Sequence, residues 1–464
     1  MQKVDILRKK YPRFIYKDYS WRVSGGNLNI SFNFSIPPDF EFYPKLVIKN
    51  VAKNQIKRVG DSALNNLVFN LGLIDLLSYW KATCSPEIII ESGYLNEEQI
   101  SWWKDLINRG MGQFFYENKI NFTKPSFFKI IPRKFMQFPR YEGGLADKVM
   151  IPLGGGKDSI VTLEMLKKTK KKILCLSLNP NGFVKQIIKT SGCRDAVIVE
   201  RTIDRKLLDL NRKGFLNGHT PFSAYLAFLS SLLAVIFDTK YIAFSNERSS
   251  NEGNVQYLGK VINHQYSKSF DFEQKFRKYS KKYLIRDLEY FSFLRPLYEI
   301  QIARLFSKYP KYFSVFLSCN EAFKTYSGIR KPSGKWCSQC PKCLFVFMIL
   351  YPFINENKLI KIFNQNLFER KELLPLVLDL IGERKFKPFE CVGTKKESLV
   401  ALYLSWEKEN RVGDKPFLLK YFEKNILPKH PNLEKESQKI MNSWNNEHNL
   451  SPGFKKLLKI PSGT

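Results

Sequence analysis

The sequence contains one stretch with the composition of a phosphate-binding loop, Gly154-Gly155-Gly156-Lys157-Asp158-Ser159. An apolar run precedes it and a helical pattern follows it, as in a strand–turn–helix unit. Glycines allow backbone N–H groups to approach an anion closely, and the positive end of the following helix dipole attracts negative charge. The spacing differs from that of the Walker loop, G-x-x-x-x-G-K-[ST]. We therefore predict nucleotide binding through another type of loop, with a purely structural turn as the alternative.

The same stretch resembles the PP-loop of the ATP pyrophosphatase superfamily, whose pattern is S-G-G-x-D-S. Gly154 stands where that pattern has serine. The resemblance implies that Gly154 to Ser159 hold the β,γ-pyrophosphate of ATP while a nucleophile attacks the α-phosphate, with Asp158 also acting in catalysis. The expected products are an adenylated substrate and pyrophosphate.

Four of the eight cysteines lie close together in the sequence, at Cys319, Cys337, Cys340 and Cys343. In a reducing compartment, clustered thiols favour metal binding over disulfide formation. Four thiolates suit a tetrahedral Zn²⁺ ion in a closed, structural site, and an iron–sulfur cluster is the alternative. Three other cysteines have no such company, and we expect them to be buried apolar side chains: Cys84, Cys175 and Cys193.

From residue 148 onward the sequence alternates between strand and helix patterns. The predicted strands are Lys148–Leu153, Lys172–Leu178, Asp195–Glu200 and Lys240–Ser245, and the longest predicted helix runs from Pro221 to Thr239. This rhythm predicts a parallel sheet with helices on both faces. Ligands bind such sheets at the carboxyl ends of the strands, where the glycine-rich stretch lies.

Two other polar segments follow predicted strands directly, and we expect both to lie at the same edge of the sheet as the glycine-rich stretch. One contains Ser177, and the other consists of Ser245, Asn246 and Glu247. We expect Ser177 to contribute to adenine binding, and the second group to bind phosphate, metal or substrate. Ordinary loop polarity is the alternative for both segments.

A third polar segment, from Asn263 to Ser269, contains His264, one of only four histidines in the chain. Its neighbours carry amide, phenol, hydroxyl and ammonium groups. A histidine in such surroundings can act as a general acid, as a general base or as a hydrogen-bond donor to a substrate. A structural histidine is the alternative.

The first 140 residues have a different pattern and are expected to form a separate α+β domain. Residues 20–50 alternate between apolar and polar, which predicts antiparallel strands, and residues 61–82 have a helical pattern. Glu87–Ile90 is a further predicted strand, and Glu97–Asn108 an amphipathic helix. Residues 141–464 are then the catalytic domain, with the cysteine cluster and a helical C-terminal extension. The predicted fold class is therefore α/β.

The composition indicates a globular protein: the chain has 464 residues, 44% of them hydrophobic, and a formal net charge of +32. The longest apolar stretch, from Tyr225 to Phe237, is too short to cross a bilayer, and no apolar signal region follows Met1. We therefore expect a cytoplasmic protein without membrane insertion. The basic surplus suits a partner rich in phosphate and carboxylate groups, or a solvated lysine-rich surface. No RNA- or DNA-binding signature accompanies it.

Four segments together resemble the MurL family: Leu153–Ser159, Asn263–Ser269, Trp336–Cys343 and Lys387–Thr394. The similarity extends from about Pro139 to Leu402. Members of the family are UDP-N-acetyl-α-D-muramoyl-L-alanyl-L-glutamate epimerases. The resemblance implies a sheet of the PP-loop (adenine nucleotide alpha hydrolase-like) type. It also implies an isomerase that uses ATP and Mg²⁺ to invert the terminal L-glutamate of a UDP-muramoyl dipeptide, with AMP and pyrophosphate as products.

The implied reaction explains why a carboxylate would be adenylated. The α-proton beside a carboxylate is very weakly acidic, because its removal adds a second negative charge. An acyl adenylate is a polarised carbonyl without that charge, so the α-carbanion can delocalise as an enolate. A base then removes the proton from one face and an acid returns a proton to the other. The candidates for these roles are His264, Tyr266, Lys268 and Cys391, and a packed thiol is the alternative for Cys391.

A second hypothesis keeps the PP-loop and changes the substrate. Enzymes of that superfamily also adenylate tRNA bases or nucleobases, and the CxxCxxC pattern recurs in the one that makes cyano-deazaguanine. Such a partner would explain the charge of +32 directly. A third hypothesis, a non-enzymatic zinc-bearing scaffold, leaves Asp158 and Ser159 unexplained. We expect a small-molecule substrate rather than nucleic acid, and make no prediction of the oligomeric state.

Overall fold

A computed structural model of the chain describes residues 2–325, 329, 331–384, 386–411 and 413–459. Its strands are β1 (Arg13–Ser24), β2 (Asn27–Ile36), β3 (Phe40–Phe42), β4 (Lys45–Ile48), β5 (Glu87–Ile90), β6 (Lys129–Pro132), β7 (Lys148–Pro152), β8 (Lys172–Leu178), β9 (Ala196–Thr202), β10 (Tyr241–Phe244), β11 (Val255–Tyr257), β12 (Lys260–Ile262) and β13 (Glu289–Ser292).

The helices of the first two thirds of the chain are α1 (Lys3–Lys10), α2 (Lys53–Val59), α3 (Asp61–Asp75), α4 (Leu77–Trp80), α5 (Glu97–Gly110), α6 (Gly112–Glu117), α7 (Lys157–Leu166), α8 (Gly182–Ser191), α9 (Arg205–Arg212), α10 (Phe222–Ile236), α11 (Phe270–Tyr279) and α12 (Glu299–Phe306). The C-terminal helices are α13 (Asn320–Phe323), α14 (Pro341–Leu350), α15 (Glu356–Phe363), α16 (Leu374–Ile381), α17 (Lys395–Asn410), α18 (Phe417–Asn425), α19 (Leu433–Met441) and α20 (Pro452–Leu458). Short 3-10 turns at Arg248–Asn251 and Tyr266–Lys268 lie between β10 and α11.

One mixed sheet of 11 strands runs through the molecule, in the order β13-β10-β7-β8-β9-β4-β2-β1-β5-β6, with β3 paired to β2. The five strands from β13 to β9 are parallel to their neighbours. The pairings β9–β4, β4–β2 and β2–β1 are antiparallel, whereas β1–β5 and β5–β6 are parallel. The sheet therefore joins the N-terminal strands to the strand that precedes the glycine-rich stretch.

The burial of strand residues follows from what covers each face of the sheet. In β2, every second residue from Leu28 to Phe34 is buried, because one face packs on the core. In β7, Val149, Met150 and Ile151 are all buried. Met150 belongs to one hydrophobic core, whereas Val149 and Ile151 belong to a second. Helices α7 and α10 both contact this strand, as expected for a parallel sheet covered on both faces.

The mixed α/β architecture with a helical C-terminal region is confirmed. Strands Lys172–Leu178 and Glu87–Ile90 have the predicted bounds, and residues 20–50 form antiparallel pairs. The predicted strand Asp195–Glu200 lies instead at Ala196–Thr202, and β13 was not predicted. The assignment to the PP-loop type and the domain boundary at residue 140 stay predictions.

Cys175 is buried as predicted, but the expectation of a buried apolar side chain is wrong for Cys193, which is only half-buried, and the two cysteines form a disulfide. Cys175 lies in β8 and is the register partner of Ala196 in β9. The chain returns from α8 just before β9, which brings Cys193 to the same end of these strands. Cys84 is a free, buried thiol, as predicted.

The C-terminal helices surround α17, which contacts α14, α16, α18 and α19. This group joins the sheet region through α12, which contacts α7 as well as α14 and α17. In the part of the chain that the structure describes, none of the helices has the length and apolar character needed to span a bilayer.

Candidate functional site

The glycine-rich stretch forms the turn between β7 and α7. Gly156 is the residue before the helix, and Lys157, Asp158 and Ser159 form its first turn. Gly155 has a φ of +95°, and a Cβ atom there would lie 3.2 Å from the carbonyl oxygen of Leu317. A residue with a side chain would therefore be strained and crowded at this position. The strand–turn–helix geometry presents backbone N–H groups toward the sheet edge, as an anion site requires.

A cleft of about 240 Å³ lies at the carboxyl ends of the parallel strands, next to this turn. Its walls include residues of the turn, of the segment after β10, and of the 3-10 turn before α11. The candidates that line it are Gly154, Gly156, Asp158, Ser159, Ser245, Asn246, Glu247 and Lys268. Candidates that are distant in sequence therefore share one cleft.

Two candidates for nucleotide contacts already have roles within the protein. The side chain of Ser177 is buried and donates a hydrogen bond to the carbonyl oxygen of Leu153 at 3.4 Å. Its neighbours Leu176 and Leu178 line the cleft. Asn246 donates a hydrogen bond to Ser292 Oγ at 3.0 Å. Adenine binding by Ser177 stays a prediction, and the side chain itself secures the end of β7.

Three carboxyl groups meet beside the glycine turn: Asp158, Glu247 and Glu299 each place an oxygen within 4.8 Å of the other two. Glu299 is the first residue of α12 and is 2% exposed. The buried ammonium group of Lys157 lies 2.5 Å from Asp158 Oδ1 and contacts Glu299 as well. A lysine of the turn thus neutralises part of the charge of this carboxylate group.

The pKa values of the three carboxyl groups reflect their crowding. Burial and the nearby Glu299 raise the pKa of Glu247 to about 7 and also raise that of Asp158. Burial would raise the pKa of Glu299 too, but Lys157 and Lys342 lower it overall. Oxygen ligands in this number and charge suit Mg²⁺, which would relieve the repulsion among them. The donor set therefore fits a divalent cation.

A second group of candidates meets around the thiol of Cys391. Its sulfur lies 3.2 Å from Lys268 Nζ and 3.8 Å from His264 Nε2. Burial, followed by the charge of Lys268, lowers the pKa of His264 to about 4, so its ring is neutral at neutral pH. Burial opposes the charge of Lys268, but the neighbouring Cys391 and Glu247 raise the pKa of the lysine overall. The cluster thus combines a thiol, a neutral imidazole and an ammonium group.

Lys342 connects the two groups. Its ammonium lies 3.8 Å from Glu299 Oε1 and donates a hydrogen bond to the carbonyl oxygen of Cys391. Lys268 lines the cleft beside Asp158 and also contacts the Cys391 sulfur. The carboxylate group and the thiol group are therefore parts of one site.

Tyr266 does not join this site. Its hydroxyl is hydrogen-bonded to Asp271 at 2.9 Å and to Asp105 at 3.2 Å. Burial and these carboxylates raise its pKa well above the usual range. These contacts place the Tyr266 hydroxyl on the side of the 3-10 turn that faces Asp105 and Asp271, and its role in proton transfer stays a prediction.

Two buried charged residues hold the loops of the site. Arg295 is fully buried and donates to the carbonyl oxygen of Glu247 at 2.6 Å and to that of Lys268. Glu397 accepts hydrogen bonds from Ser249 at 2.6 Å and from the N–H of Thr394 at 2.8 Å. The segments that carry Glu247, Lys268 and Cys391 are thereby fixed relative to each other.

Sequence analysis missed Glu299, Arg295 and Lys342. Glu299 and Arg295 follow β13, whose end lies at the same sheet edge as the ends of β7 and β10. Because β13 was not predicted, the sequence did not indicate that the polar residues after it lie at this edge of the sheet. Lys342 lies between two of the clustered cysteines, and nothing in the sequence indicates that its side chain reaches the carboxylates.

The four clustered cysteines meet as predicted, with every sulfur within 4.8 Å of the other three. The Cys319–Cys340 pair is separated by 3.9 Å, Cys337–Cys343 by 3.6 Å and Cys340–Cys343 by 3.5 Å. Ligands of a tetrahedral ion with metal–sulfur bonds of about 2.3 Å lie about 3.8 Å apart. The four thiols therefore fit a single tetrahedral metal ion.

Comparison with known proteins identifies relatives over most of the chain. Residues 6–293 match the model of the MurL N-terminal domain, and residues 315–437 match that of the MurL C-terminal domain. A protein of Xanthomonas oryzae pv. oryzae is 31% identical over 384 residues, which cover 83% of each chain. A protein of Salinispora tropica is 30% identical over 403 residues, 86% of each chain. Both relatives bear the name UDP-N-acetyl-alpha-D-muramoyl-L-alanyl-L-glutamate epimerase.

Proposed function

The chain belongs to the MurL family, and we infer that it is an epimerase that converts the terminal L-glutamate of UDP-MurNAc-L-Ala-L-Glu to D-glutamate. The product is a precursor of peptidoglycan. The structural observation that supports this function is that two groups of functional side chains lie next to each other. A glycine turn with carboxylates adjoins a thiol–imidazole–ammonium cluster, and Lys268 contacts both.

The glycine turn is proposed to bind ATP in the manner of a PP-loop. Backbone N–H groups at the start of α7 and the ammonium of Lys157 suit the β,γ-pyrophosphate. The glutamate α-carboxylate attacks the α-phosphorus, and the bond to pyrophosphate breaks. When ATP binds, before this reaction, Lys157 would exchange its contacts with Asp158 and Glu299 for contacts with phosphate oxygens.

Asp158, Glu247 and Glu299 are proposed to hold Mg²⁺. When bound, the ion would neutralise phosphate charge and orient pyrophosphate as a leaving group. The protein's own part is to keep these side chains together. Arg295 fixes the backbone at Glu247, and the capping of α12 places Glu299 at the same edge.

The clustered cysteines are proposed to hold one structural Zn²⁺. Each cysteine of a four-iron cluster would bind a different iron atom, which requires sulfurs farther apart than the 3.5–3.9 Å found here. A closed set of four thiolates leaves no position for substrate, so the ion would act on folding rather than on the reaction.

The decisive experiment supplies UDP-MurNAc-L-Ala-L-Glu and Mg-ATP to the purified enzyme in deuterated water. The glutamate of the product is expected to have the D configuration and deuterium at Cα, with AMP formed only when substrate is present. Chiral chromatography and mass spectrometry measure the two properties separately. An unlabelled, unconverted substrate together with AMP release on addition of tRNA or a nucleobase would replace this function with the base-adenylating alternative, which the net charge of +32 favours.

A further inference from the structure

The thiol of Cys391 lies at one end of a chain of hydrogen-bonding groups that reaches α6. Its sulfur is 3.8 Å from His264 Nε2, and His264 Nδ1 is 2.5 Å from Gln113 Oε1. Gln113 Nε2 in turn donates to Glu117 Oε1 at 2.7 Å. Gln113 and Glu117 are four residues apart on one helix and therefore share a face. Neither residue belongs to a motif that is recognisable in the sequence.

The direction of each hydrogen bond follows from the ends of this chain. A carboxylate only accepts hydrogen bonds, so Glu117 requires the NH₂ group of Gln113 to face it. The carbonyl oxygen of Gln113 then faces His264 and accepts from Nδ1–H. Because the buried ring is neutral, Nε2 carries a lone pair. That lone pair is directed at Cys391 and can take the proton of its thiol.

The other close neighbour of the thiol is an ammonium group. Lys268 Nζ lies 3.2 Å from the sulfur, and a cation at this distance stabilises a thiolate. The ring of His219 lies 4.6 Å from that of His264, and burial followed by His264 lowers the pKa of His219 well below its usual value. One neutral ring and one cation thus adjoin the sulfur, in the arrangement of an activated nucleophile and its oriented base, and the ring of His219 packs against that of His264.

His264 and Cys391 cannot serve opposite faces of the substrate. Two groups that exchange protons with opposite faces of one carbon lie about 6–7 Å apart, since each must come within about 3–3.5 Å of it. The measured distance of 3.8 Å between Nε2 and Sγ leaves no room for a carbon atom between them. The two residues therefore act in sequence on the same side.

We propose that Cys391 exchanges the α-proton of glutamate on one face, that His264 relays this proton, and that Gln113 and Glu117 are positioning residues that fix the His264 tautomer. The inference rests on the proposed epimerase function. The thiolate sulfur forms an S–H bond to the α-proton as the Cα–H bond breaks, and the electron pair enters the enolate of the acyl adenylate. The proton then passes from sulfur to His264 Nε2. A water molecule supplies a proton to the opposite face, the His264 imidazolium releases its proton to solvent, and hydrolysis of the acyl adenylate frees AMP and the carboxylate of D-glutamate.

The first test measures the tautomer directly, by ¹⁵N NMR of the protein labelled at histidine. In the wild-type protein, His264 is expected to show a protonated Nδ1 and an unprotonated Nε2. Gln113→Leu removes the acceptor and is expected to produce a mixture of tautomers. Gln113→Glu combined with Glu117→Gln keeps an acceptor beside Nδ1 and is expected to restore the wild-type spectrum. A protonated Nε2 in the wild-type protein overturns the proposal.

The second test measures the thiol without reference to the reaction. Iodoacetamide labelling of Cys391, quantified by mass spectrometry, is expected to slow by about tenfold or more in Lys268→Met and in His264→Phe. Lys439→Met, on the exposed face of α19, is the matched control for Lys268→Met and is expected to label at the wild-type rate. Equal labelling rates in all variants contradict the activated thiol.

The third test separates this proposal from the proposed function. In deuterated water with substrate and Mg-ATP, Cys391→Ser is expected to lose Cα exchange by about 100-fold or more while AMP formation persists. If the wild-type enzyme forms D-glutamate and Cys391→Ser does so at the same rate, the function stands and the thiol proposal is wrong. If the wild-type enzyme forms no D-glutamate, the function fails, and the tautomer and labelling results still decide whether the relay exists.

Discussion

The backbone N–H of Leu317 donates a hydrogen bond to the carbonyl oxygen of Gly155 across 2.9 Å. Leu317 lies two residues before Cys319, so the segment that enters the thiolate cluster is attached to the glycine turn. On the other side of the cluster, Cys340 caps α14, whose Lys342 contacts Glu299 and the carbonyl of Cys391. The cysteine cluster is therefore a common anchor for the glycine turn, proposed to bind phosphate, and for the cluster around Cys391, proposed to transfer protons.

The first prediction concerns the Zn²⁺ ion proposed for this cluster. Cys337→Ser is expected to lower both the zinc content, from about one ion per chain, and the thermal stability, because metal binding is coupled to folding. ATP binding is also expected to weaken, since the Leu317–Gly155 contact would no longer be fixed. Elemental analysis, calorimetry and a fluorescent ATP analogue measure the three effects. Zinc-free protein with wild-type affinity for ATP would contradict the anchoring role.

The second prediction concerns Arg295, which is fully buried and paired with the buried carboxylate of Glu273 at 3.3 Å. Arg295→Met leaves that carboxylate without its cation and releases the carbonyls of Glu247 and Lys268. The free energy of unfolding is expected to fall by about 3–5 kcal/mol, as for other broken buried ion pairs. Urea unfolding followed by fluorescence and circular dichroism measures the change.

The control for this prediction is Arg411→Met on the surface, where the arginine side chain is 78% exposed. That variant is expected to unfold within about 0.5 kcal/mol of the wild-type protein. A loss of less than about 1 kcal/mol in Arg295→Met would mean that other contacts hold the two loops.

The third prediction concerns the protonation of His264, whose pKa burial lowers from 6.5 to about 4. Because the folded-state pKa lies below the unfolded-state value, the folded protein binds fewer protons than the unfolded chain between these pH values. Its contribution to stability is therefore present above pH 6.5 and is lost as the pH falls toward 4. NMR of the histidine rings is expected to show no titration of His264 between pH 8 and about 5. The signal absent from His264→Gln identifies it, and a midpoint near 6.5 would falsify the burial argument.

Much of the fold and part of the site could be predicted from local patterns. The glycine turn and CxxCxxC have fixed spacings, β2 alternates between buried and partly exposed residues, and β8 is a short apolar run, so each is recognisable from neighbouring residues alone. The carboxylate group is different, because Asp158, Glu247 and Glu299 come from three segments that meet only through the strand order. The contact between Gln113 and His264 could not be predicted either, because the two residues are 151 positions apart in the sequence.

The candidates for proton transfer show what residue chemistry alone leaves undecided. Tyr266 and Lys268 lie in one polar segment and were predicted together, yet the 3-10 turn directs them to different places. The hydroxyl of Tyr266 contacts Asp105 and Asp271, whereas the ammonium of Lys268 reaches Cys391. Residue types in a segment indicate which reactions are possible, but the backbone geometry of the turn decides which side chains meet.

The last prediction concerns the carboxylate group. Asp158→Asn and Glu299→Gln each remove one negative charge from a set that suits a divalent cation, so each is expected to weaken Mn²⁺ binding by at least about tenfold. Electron paramagnetic resonance of Mn²⁺ measures this without the reaction. AMP and pyrophosphate formation are expected to fall by orders of magnitude in the same variants. Asp147→Asn, at a carboxylate that is 67% exposed and paired only at the surface with Lys171, is the matched control. The loss is expected because the Asp158 carboxylate lies in the first turn after the glycines, where the pyrophosphate and its cation are proposed to bind. Near-normal pyrophosphate release from Asp158→Asn would therefore show that Asp158 takes no part in the adenylation step.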